Sequence, residues 1–409
     1  MLFFADFHIH SKYSRATSNN MDLDGITEMA QLKGIKLMGT GDFTHPAWFS
    51  ELKENLKPLE NGIFKYNETY FILTCEVSNI YVKNGRLRKV HNVIITPNFE
   101  TAEMITDYLS RYGKVEADGR PILSLDSEKM FSKLLEINER NQLIPAHIWT
   151  PWFSLFGSNS GFDNIEECYG KYSDRILALE TGLSSDPEMN WMWSKLDRFT
   201  LVSNSDAHSP VNIGREANCF DCEMDYDTII RVIKNEDRKK FLFTIEFFPE
   251  EGKYHYDGHR KCNIIMHPSE AKKNNNICPH CGKPLTIGVL HRIMELSDRE
   301  FGYRPEGKIP FKKLVPLREI ISEVIGVGKG SKTVETKYRE LILRLGTELE
   351  ILLNIPYEDI KKVSDTAIAD GIMRVRSGKV TLTPGYDGVY GKVSVKDTLK
   401  EDKKQLELF

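Results

Sequence analysis

The chain has 409 residues, a formal net charge of −4, and a composition that is 40% hydrophobic and 10% aromatic. Such a composition excludes wholesale disorder, and the length leaves room for two or three domains. No apolar run is long enough to span a bilayer, and residues 1–6 lack the basic segment and apolar stretch of a secretory leader, so a cytoplasmic protein with no membrane partner is expected.

In chain order, short aliphatic or β-branched runs at residues 35–40, 70–75, 90–95, 143–147, 176–180 and 200–204 predict buried strands. Between them, residues 23–33, 101–111 and 127–140 read as helices. This alternation predicts a parallel sheet, and its repetition predicts a barrel. The pattern changes near residue 248, where aromatic, histidine and cysteine residues crowd together as far as Cys281. After Pro310 it becomes helical: Val334, Tyr338, Leu341, Ile342, Leu345, Leu349 and Leu352 recur at three- and four-residue intervals. Residues 1–247, 248–300, 301–398 and 399–409 are therefore taken as an α/β unit, a small histidine- and cysteine-rich module, a helical domain and a flexible tail.

The eleven histidines fall into two groups. His8-Ile-His10 follows a strand start, and alternate strand residues share a face, so both imidazoles can meet one metal. Asp42 and His45 follow the strand ending at Thr40, and Glu76 follows the one ending at Cys75. His91 lies within a strand, His147 ends another, and Asp206 and His208 follow a third. In a parallel barrel all the strand C-termini share one face, where active sites gather. Imidazoles and carboxylates converging there suit zinc, manganese or iron, with Glu76 able to bridge two ions.

Several motifs carry a family resemblance. Asp6-Phe-His8-Ile-His10-Ser11, Gly39-Thr-Gly-Asp42, Glu76, His91, His147 and Ser205-Asp-Ala-His208 resemble the ordered motifs of the polymerase-and-histidinol-phosphatase (PHP) superfamily. Gly39-Thr-Gly-Asp-Phe-Thr-His45-Pro, Ala146-His-Ile-Trp-Thr-Pro-Trp152, Leu179-Glu-Thr-Gly-Leu-Ser-Ser185 and Asn204-Ser-Asp-Ala-His-Ser-Pro210 resemble endonuclease Q, a likeness covering roughly residues 1–395. The resemblance implies a distorted (β/α)7 PHP barrel holding two or three divalent ions (Zn, Mn or Mg), followed by a small zinc-binding module and a C-terminal helical domain. It assigns catalysis to His8, His10, Glu76, His91, His147, Asp206 and His208, with Asp42, His45 and His208 as candidates for a third metal position. The second motif departs from the superfamily, which has Asp-His where this chain has Asp42-Phe43; where an acid is common after His-x-His stands Arg15. The implied activity is DNA-repair cleavage 5′ to uracil, hypoxanthine, xanthine or an abasic site, leaving 3′-OH and 5′-phosphate. Two alternatives remain, a PHP-type phosphatase acting on a small phosphoester and a non-catalytic DNA- or clamp-associated module.

Cys278-Pro-His-Cys281-Gly282 has the form of a zinc knuckle, and His259-Arg-Lys-Cys262 supplies a second pair at the same spacing. One structural zinc on His259, Cys262, Cys278 and Cys281 is expected, with His267 the rival for the imidazole position. Cys219 and Cys222 share the spacing but have no second pair nearby, and Cys75 and Cys168 read as core residues.

Between residues 301 and 345 basic side chains outnumber acidic ones roughly two to one. Within that stretch Gly326, Gly328, Lys329, Gly330, Ser331 and Lys332 join two helical segments and end at a helix N-terminus, an arrangement suited to a DNA phosphate. It is not a Walker loop, since the Gly-Lys-Ser spacing is wrong. The last five residues resemble the bacterial β sliding-clamp docking motif through Gln405, Leu406, Leu408 and Phe409, with Glu407 departing from it. A monomeric, nucleoid-associated enzyme that meets damaged DNA and the clamp is the resulting expectation.

Overall fold

The computed structural model describes residues 1–396. The clamp-docking reading of Gln405, Leu406, Leu408 and Phe409 lies outside them. Among the described residues no helix is long and apolar enough to cross a membrane.

The fold is mixed α/β with a helical C-terminal region. Strand Leu2–Asp6 pairs parallel with Ile35–Gly39, which pairs parallel with Thr69–Lys83. Helix Leu23–Lys33 makes the first crossover; the Asp22 carboxylate caps its first turn by accepting from Gly25 N–H, and Gly34 closes it at φ 89°. The sheet is not purely parallel, however. Thr69–Lys83 and Arg86–Thr96 form an antiparallel hairpin across Asn84-Gly85, both at positive φ (53° and 72°). Those two angles are the ones a two-residue hairpin turn needs to match strand twist, and Asn-Gly adopts them at little cost. Leu2–Asp6 also pairs antiparallel with Ala217–Asp221, which pairs antiparallel with Phe241–Glu246.

The helical region departs from its apolar stripe. Instead of one helix, Lys332–Leu345 ends at Gly346 (φ 103°), and Glu348–Leu353 starts afresh. Thr347 and Glu350 form a reciprocal capping box, which satisfies amides that a restart would otherwise leave bare. Val334, Tyr338 and Leu341 from the first piece and Leu349 and Leu352 from the second are buried with Ile26, Met29 and Ile320 in a single hydrophobic core that runs under the sheet as well. At about 1.5–3 kcal/mol for each large side chain buried, this shared core fixes the helical region to the sheet. The cysteine-rich segment has far less to stand on: its own core is Ala271, Cys278 and Leu285. So small a core calls for a staple.

Candidate active site

The site begins with the first strand. Asp6 is buried and accepts from the backbone N–H groups of Ser205 (3.1 Å) and Gly214 (3.1 Å), tying the 205–214 segment to the strand end. Burial pushes its carboxyl up to about 6 against those hydrogen bonds. Beyond Asp6, Ile9 bridges Ala207 in parallel, and strand alternation turns His8 and His10 to the same side.

Two donor groups gather there. His8, His10, Glu76 and Asp206 form one, and Glu76, His91 and His147 the other, with all donor atoms of each group within 4.8 Å of one another. Glu76 belongs to both. Its Oε2 lies 3.2 Å from His10 Nε2 and 3.6 Å from His8 Nε2, while its Oε1 lies 2.8 Å from His91 Nδ1 and 3.1 Å from His147 Nε2. Asp206 Oδ1 completes the first group, 3.1 Å from His10 Nε2.

The fit to cations follows from the atoms left over. His8 Nε2, His10 Nε2 and Asp206 Oδ1 are buried without a well-directed hydrogen bond, although they lie close together. Buried polar atoms are rarely left so, and two imidazole nitrogens with two carboxylates make a donor set for a divalent ion. The opposite ring nitrogens are taken. His8 Nδ1 stands 3.0 and 3.1 Å from the Glu180 oxygens, and His10 Nδ1 3.0 Å from Asp42 Oδ1. Carboxylates behind each ring hold the proton on Nδ1 and turn Nε2 toward the cluster. Desolvation works against protonating these rings, but Glu180 and Glu76 at His8, and Asp42 at His10, raise both well above the usual histidine range. Burial raises and the surrounding His91, Arg120 and His8 lower Glu76, which ends well below the usual carboxylate range. His91 behaves differently, since burial outweighs Glu76 and brings it down to about 4.

Three residues of the site carry left-handed backbone. Asp42, His147 and Asp206 are non-glycine residues at φ 49°, 32° and 46°. Left-handed conformations of this kind cost energy and persist where the surroundings over-determine them.

The expected residues sort into layers. His8, His10, Glu76, His91, His147 and Asp206 converge. His208 sits at the rim, its ring 4.3 Å from that of His10 and its Nδ1 3.0 Å from Asp206 O. Desolvation and the neighbouring His10 lower its pKa. Asp42 stands behind His10, its second oxygen accepting from Ser11 N–H (2.6 Å), Ser11 Oγ (2.7 Å) and Ser14 Oγ (2.9 Å). His45 is outside both groups, stacked on Tyr13 with Nε2 3.2 Å from Glu116 O.

Two residues escaped the sequence reading. Glu180 holds His8, accepts His147 N–H (2.8 Å) and accepts from Asn204 Nδ2 (2.8 Å). It ends strand Leu179–Glu180, where the strand-end rule should have found it; Glu76, which that rule singled out, lies instead within strand Thr69–Lys83, because the strand runs on past Cys75 in its hairpin with Arg86–Thr96. Arg120 reaches Glu76 Oε2 at 3.1 Å from an irregular loop. Nothing local in the sequence marks it.

The second expected site is also assembled. His259, Cys262, Cys278 and Cys281 bring one imidazole nitrogen and three sulfurs within 4.8 Å, and no disulfide forms. Gly282 at φ 69° turns the knuckle back, and its N–H bonds to Cys278 O at 2.9 Å. Against desolvation, the backbone N–H groups of Cys281 and His280 hold the Cys278 thiol below its usual range. Desolvation and the facing Cys281 and Cys278 push Cys262 up to about 11. His267 lies apart from the group, its Nδ1 2.8 Å from Ser269 Oγ. Cys219 and Cys222 are buried and join no such donor group among the described residues.

The glycine loop stands open. A Cβ on Gly326, Gly328 or Gly330 would meet nothing within 4 Å. Ser331 Oγ caps helix Lys332–Leu345 by accepting Val334 N–H, and Lys329 Nζ lies 3.0 Å from Glu319 Oε1.

Residues 316–379 match the family model of the MJ0043 C-terminal domain. Protein MJ0043 of Methanocaldococcus jannaschii is 35% identical over 302 residues, which cover 70% of this chain and 37% of that protein; this chain thus spans little over a third of that relative's length. YqxK of Bacillus subtilis is 29% identical over 95% of this chain and 98% of its own. Among solved structures, the lesion-specific endonuclease PfuEndoQ of Pyrococcus furiosus superposes with a TM-score of 0.87 at 33% identity, covering 99% of each chain. An endonuclease Q complex with a 27-mer duplex carrying an abasic lesion at the active site superposes with a TM-score of 0.85 at 34% identity, covering 97% of each. The motifs and the near-complete superposition agree: this chain belongs to the endonuclease Q family.

Proposed function

We propose that the protein is a metal-dependent DNA-repair endonuclease. It hydrolyses the phosphodiester 5′ to a deaminated base (uracil, hypoxanthine or xanthine) or an abasic site, leaving 3′-OH and 5′-phosphate. The observation that carries the reading is Glu76, shared between two buried histidine groups in a chain that superposes along nearly its whole length on lesion endonucleases.

Divalent ions in the two groups would lower the pKa of a water nucleophile and neutralise charge on the phosphate. The chain supplies the frame. His8, His10 and Asp206 would hold one ion, His91 and His147 the other, and Glu76 would contribute to both. Asp42 and Glu180 orient the imidazoles from behind. Water adds to phosphorus, the P–O3′ bond breaks, and the leaving oxygen takes a proton to become the 3′-OH. We assign His208, at the accessible rim with its pKa lowered and its ring neutral, to a third cation. Asp42 and His45, the other candidates for a third cation, are assigned a supporting role.

The distorted (β/α)7 barrel is part of this reading. Backbone hydrogen bonds Leu177 N→Leu143 O, Leu179 N→Thr200 O and His10 N→Ala207 O carry the pairing from Gln142–Pro145 through Leu179–Glu180 and Leu201–Val202 back to the first strand. We retain the division at residues 247, 300 and 398, although strand Phe311–Lys313 from the third segment pairs with Phe241–Glu246 of the first. His259, Cys262, Cys278 and Cys281 are assigned one structural zinc, and the segment from Gly326 to Lys332 a DNA phosphate. A monomer in the cytoplasm, at the nucleoid, fits such work.

The test is gel analysis of end-labelled duplexes carrying uracil, hypoxanthine or an abasic site, incubated with manganese or magnesium. Wild type should nick 5′ to the lesion and leave a 3′-OH that a polymerase extends; His8→Ala and Asp206→Asn should not nick. Hydrolysis of p-nitrophenyl phosphate with no DNA nicking would instead favour the small-ester phosphatase. Lesion binding with no hydrolysis of either would favour the non-catalytic module.

A further inference from the structure

Residues 147–160 form a loop fastened to the histidine cluster at both sides, through His147 and His91. Thr150 Oγ1 lies 3.3 Å from His147 Nδ1 and donates to Trp152 O at 2.9 Å. His91 N–H bonds Phe153 O at 3.1 Å, and the Phe153 ring packs 5.0 Å from the His91 ring. Phe153 itself sits at φ 60°, a conformation uncommon for a bulky residue. This turn sends Phe153 inward against His91 and leaves its neighbour Trp152 facing solvent.

Trp152 is 43% exposed, and its indole N–H has no partner among the described residues. By contrast, Trp48 and Trp149 are buried and donate to Gly41 O (2.9 Å) and Asn190 Oδ1 (2.8 Å). An isolated exposed aromatic needs no explanation, but this one is not isolated. Tyr254 meets it edge to face at 5.4 Å. The Tyr390 ring, 71% exposed, lies under Lys253 Nζ at 4.4 Å, and Arg260 lies beside Tyr254 near Gly388. Lys89 covers the outer side of Phe153 at 5.1 Å. Three segments far apart in sequence thus place aromatic faces among cations, next to the loop that carries His147.

We propose that Trp152 is a stacking residue for the nucleobase beside the scissile phosphate, with Tyr254 and Tyr390 extending the platform and Lys89, Lys253 and Arg260 following the phosphates of the same strand. Aromatic faces interleaved with cations are the chemistry that holds unpaired nucleic acid, because every base has a π-face and every linkage a charge. Duplex bases are stacked on each other, so a lesion endonuclease that opens its substrate must offer a replacement surface. The fastening of the loop to His147 and His91 sets that surface at a fixed distance from the cleavage centre. This inference rests on the endonuclease reading above.

The experiment uses the full chain and a duplex with a tetrahydrofuran abasic analogue flanked on one side by 2-aminopurine. Binding is read by anisotropy and stacking by 2-aminopurine fluorescence, with cleavage rates measured alongside. Trp152→Ala should weaken binding about 5- to 150-fold, the range of base–aromatic stacking, and alter the 2-aminopurine signal of the complex. The loss should fall mainly on KM, with kcat changed less, and Trp152→Phe should recover most of it. The stacking role is overturned if Trp152→Ala matches wild type in affinity and fluorescence. It is also overturned if Trp152→Phe is as defective as Trp152→Ala and both melt at lower temperature, since a structural role alone would give that. A wild-type protein that neither binds nor nicks the lesion duplex overturns the endonuclease reading itself, a result separable from either of these.

Discussion

Glu180 places both carboxylate oxygens about His8 Nδ1, at 3.1 and 3.0 Å, and spends the same two atoms on Asn204 Nδ2 and the backbone N–H of His147. One side chain thereby sets the orientation of an imidazole in the first donor group and the backbone position of one in the second. Glu180→Gln keeps the volume but removes the charge. Orienting partners of this kind typically contribute 10- to 100-fold in metal affinity, so the variant should bind manganese about that much more weakly by calorimetry. Its melting temperature should stay near wild type. Unchanged affinity would reduce Glu180 to a packing residue.

The cysteine-rich module should hold one zinc that the buried histidine cluster does not share. Its core is only Ala271, Cys278 and Leu285, so its folding should depend on the metal. Cys278→Ser should lower the zinc content by one ion per chain, measured by atomic emission. It should also speed hydrogen exchange at residues 257–286. A full zinc complement in that variant would refute the assignment.

The glycine loop is tested by salt. Lys329 is tied to Glu319 at 3.0 Å, but an exposed pair of this sort is worth only about 0–1 kcal/mol and yields readily to a phosphate. If Lys329 and Lys332 each neutralise one phosphate, alanine at both should reduce the slope of log affinity against log salt by about two units. A slope equal to wild type would make the segment a plain inter-helix turn.

Lys33 and Glu348 form an ion pair at 2.9 Å in which both side chains are almost fully buried, joining the first helix to the helical region across 315 residues. Burial lowers the Lys33 pKa despite its partner. Glu348→Ala should destabilise the protein by about 3–5 kcal/mol, because it strands a buried ammonium. The double variant Lys33→Met with Glu348→Leu should recover most of that loss. Thermal melts of the three proteins check both statements.

His291 supplies a pH dependence. Its Nδ1 lies 2.5 Å from Asp257 Oδ2, and its Nε2 3.5 Å from Glu295 Oε1. Desolvation opposes the charge, but the two carboxylates raise the pKa to about 9. A raised folded pKa stabilises fully below the unfolded value of about 6.5 and loses that contribution as pH rises through about 9. The melting temperature should therefore fall between pH 6.5 and 9.5, for a contribution of up to about 3 kcal/mol. His291→Gln should flatten that part of the profile. An identical profile in the variant would assign the dependence elsewhere.

The donor types and their approximate places were determined by the sequence alone. Alternation along a strand puts His8 and His10 on one face whatever else the chain does, and two-residue spacers do the same for the knuckle thiolates. Helix Leu23–Lys33 was legible to the residue, because Asp22 and Gly34 mark its ends chemically. The rest depends on partners distant in sequence. Asp42 and Glu76 look equivalent as acids after strand ends, yet Asp42 has its oxygens occupied by His10, Ser11 and Ser14 while Glu76 faces both donor groups. Glu180 and Arg120 acquire their roles only when segments 172 and 44 residues away fold against them. His45 drops out because its ring finds Tyr13 and a carbonyl oxygen instead. A sequence records which side chains can bind a cation; hydrogen-bond direction and packing in the folded core decide which atoms remain free to do so.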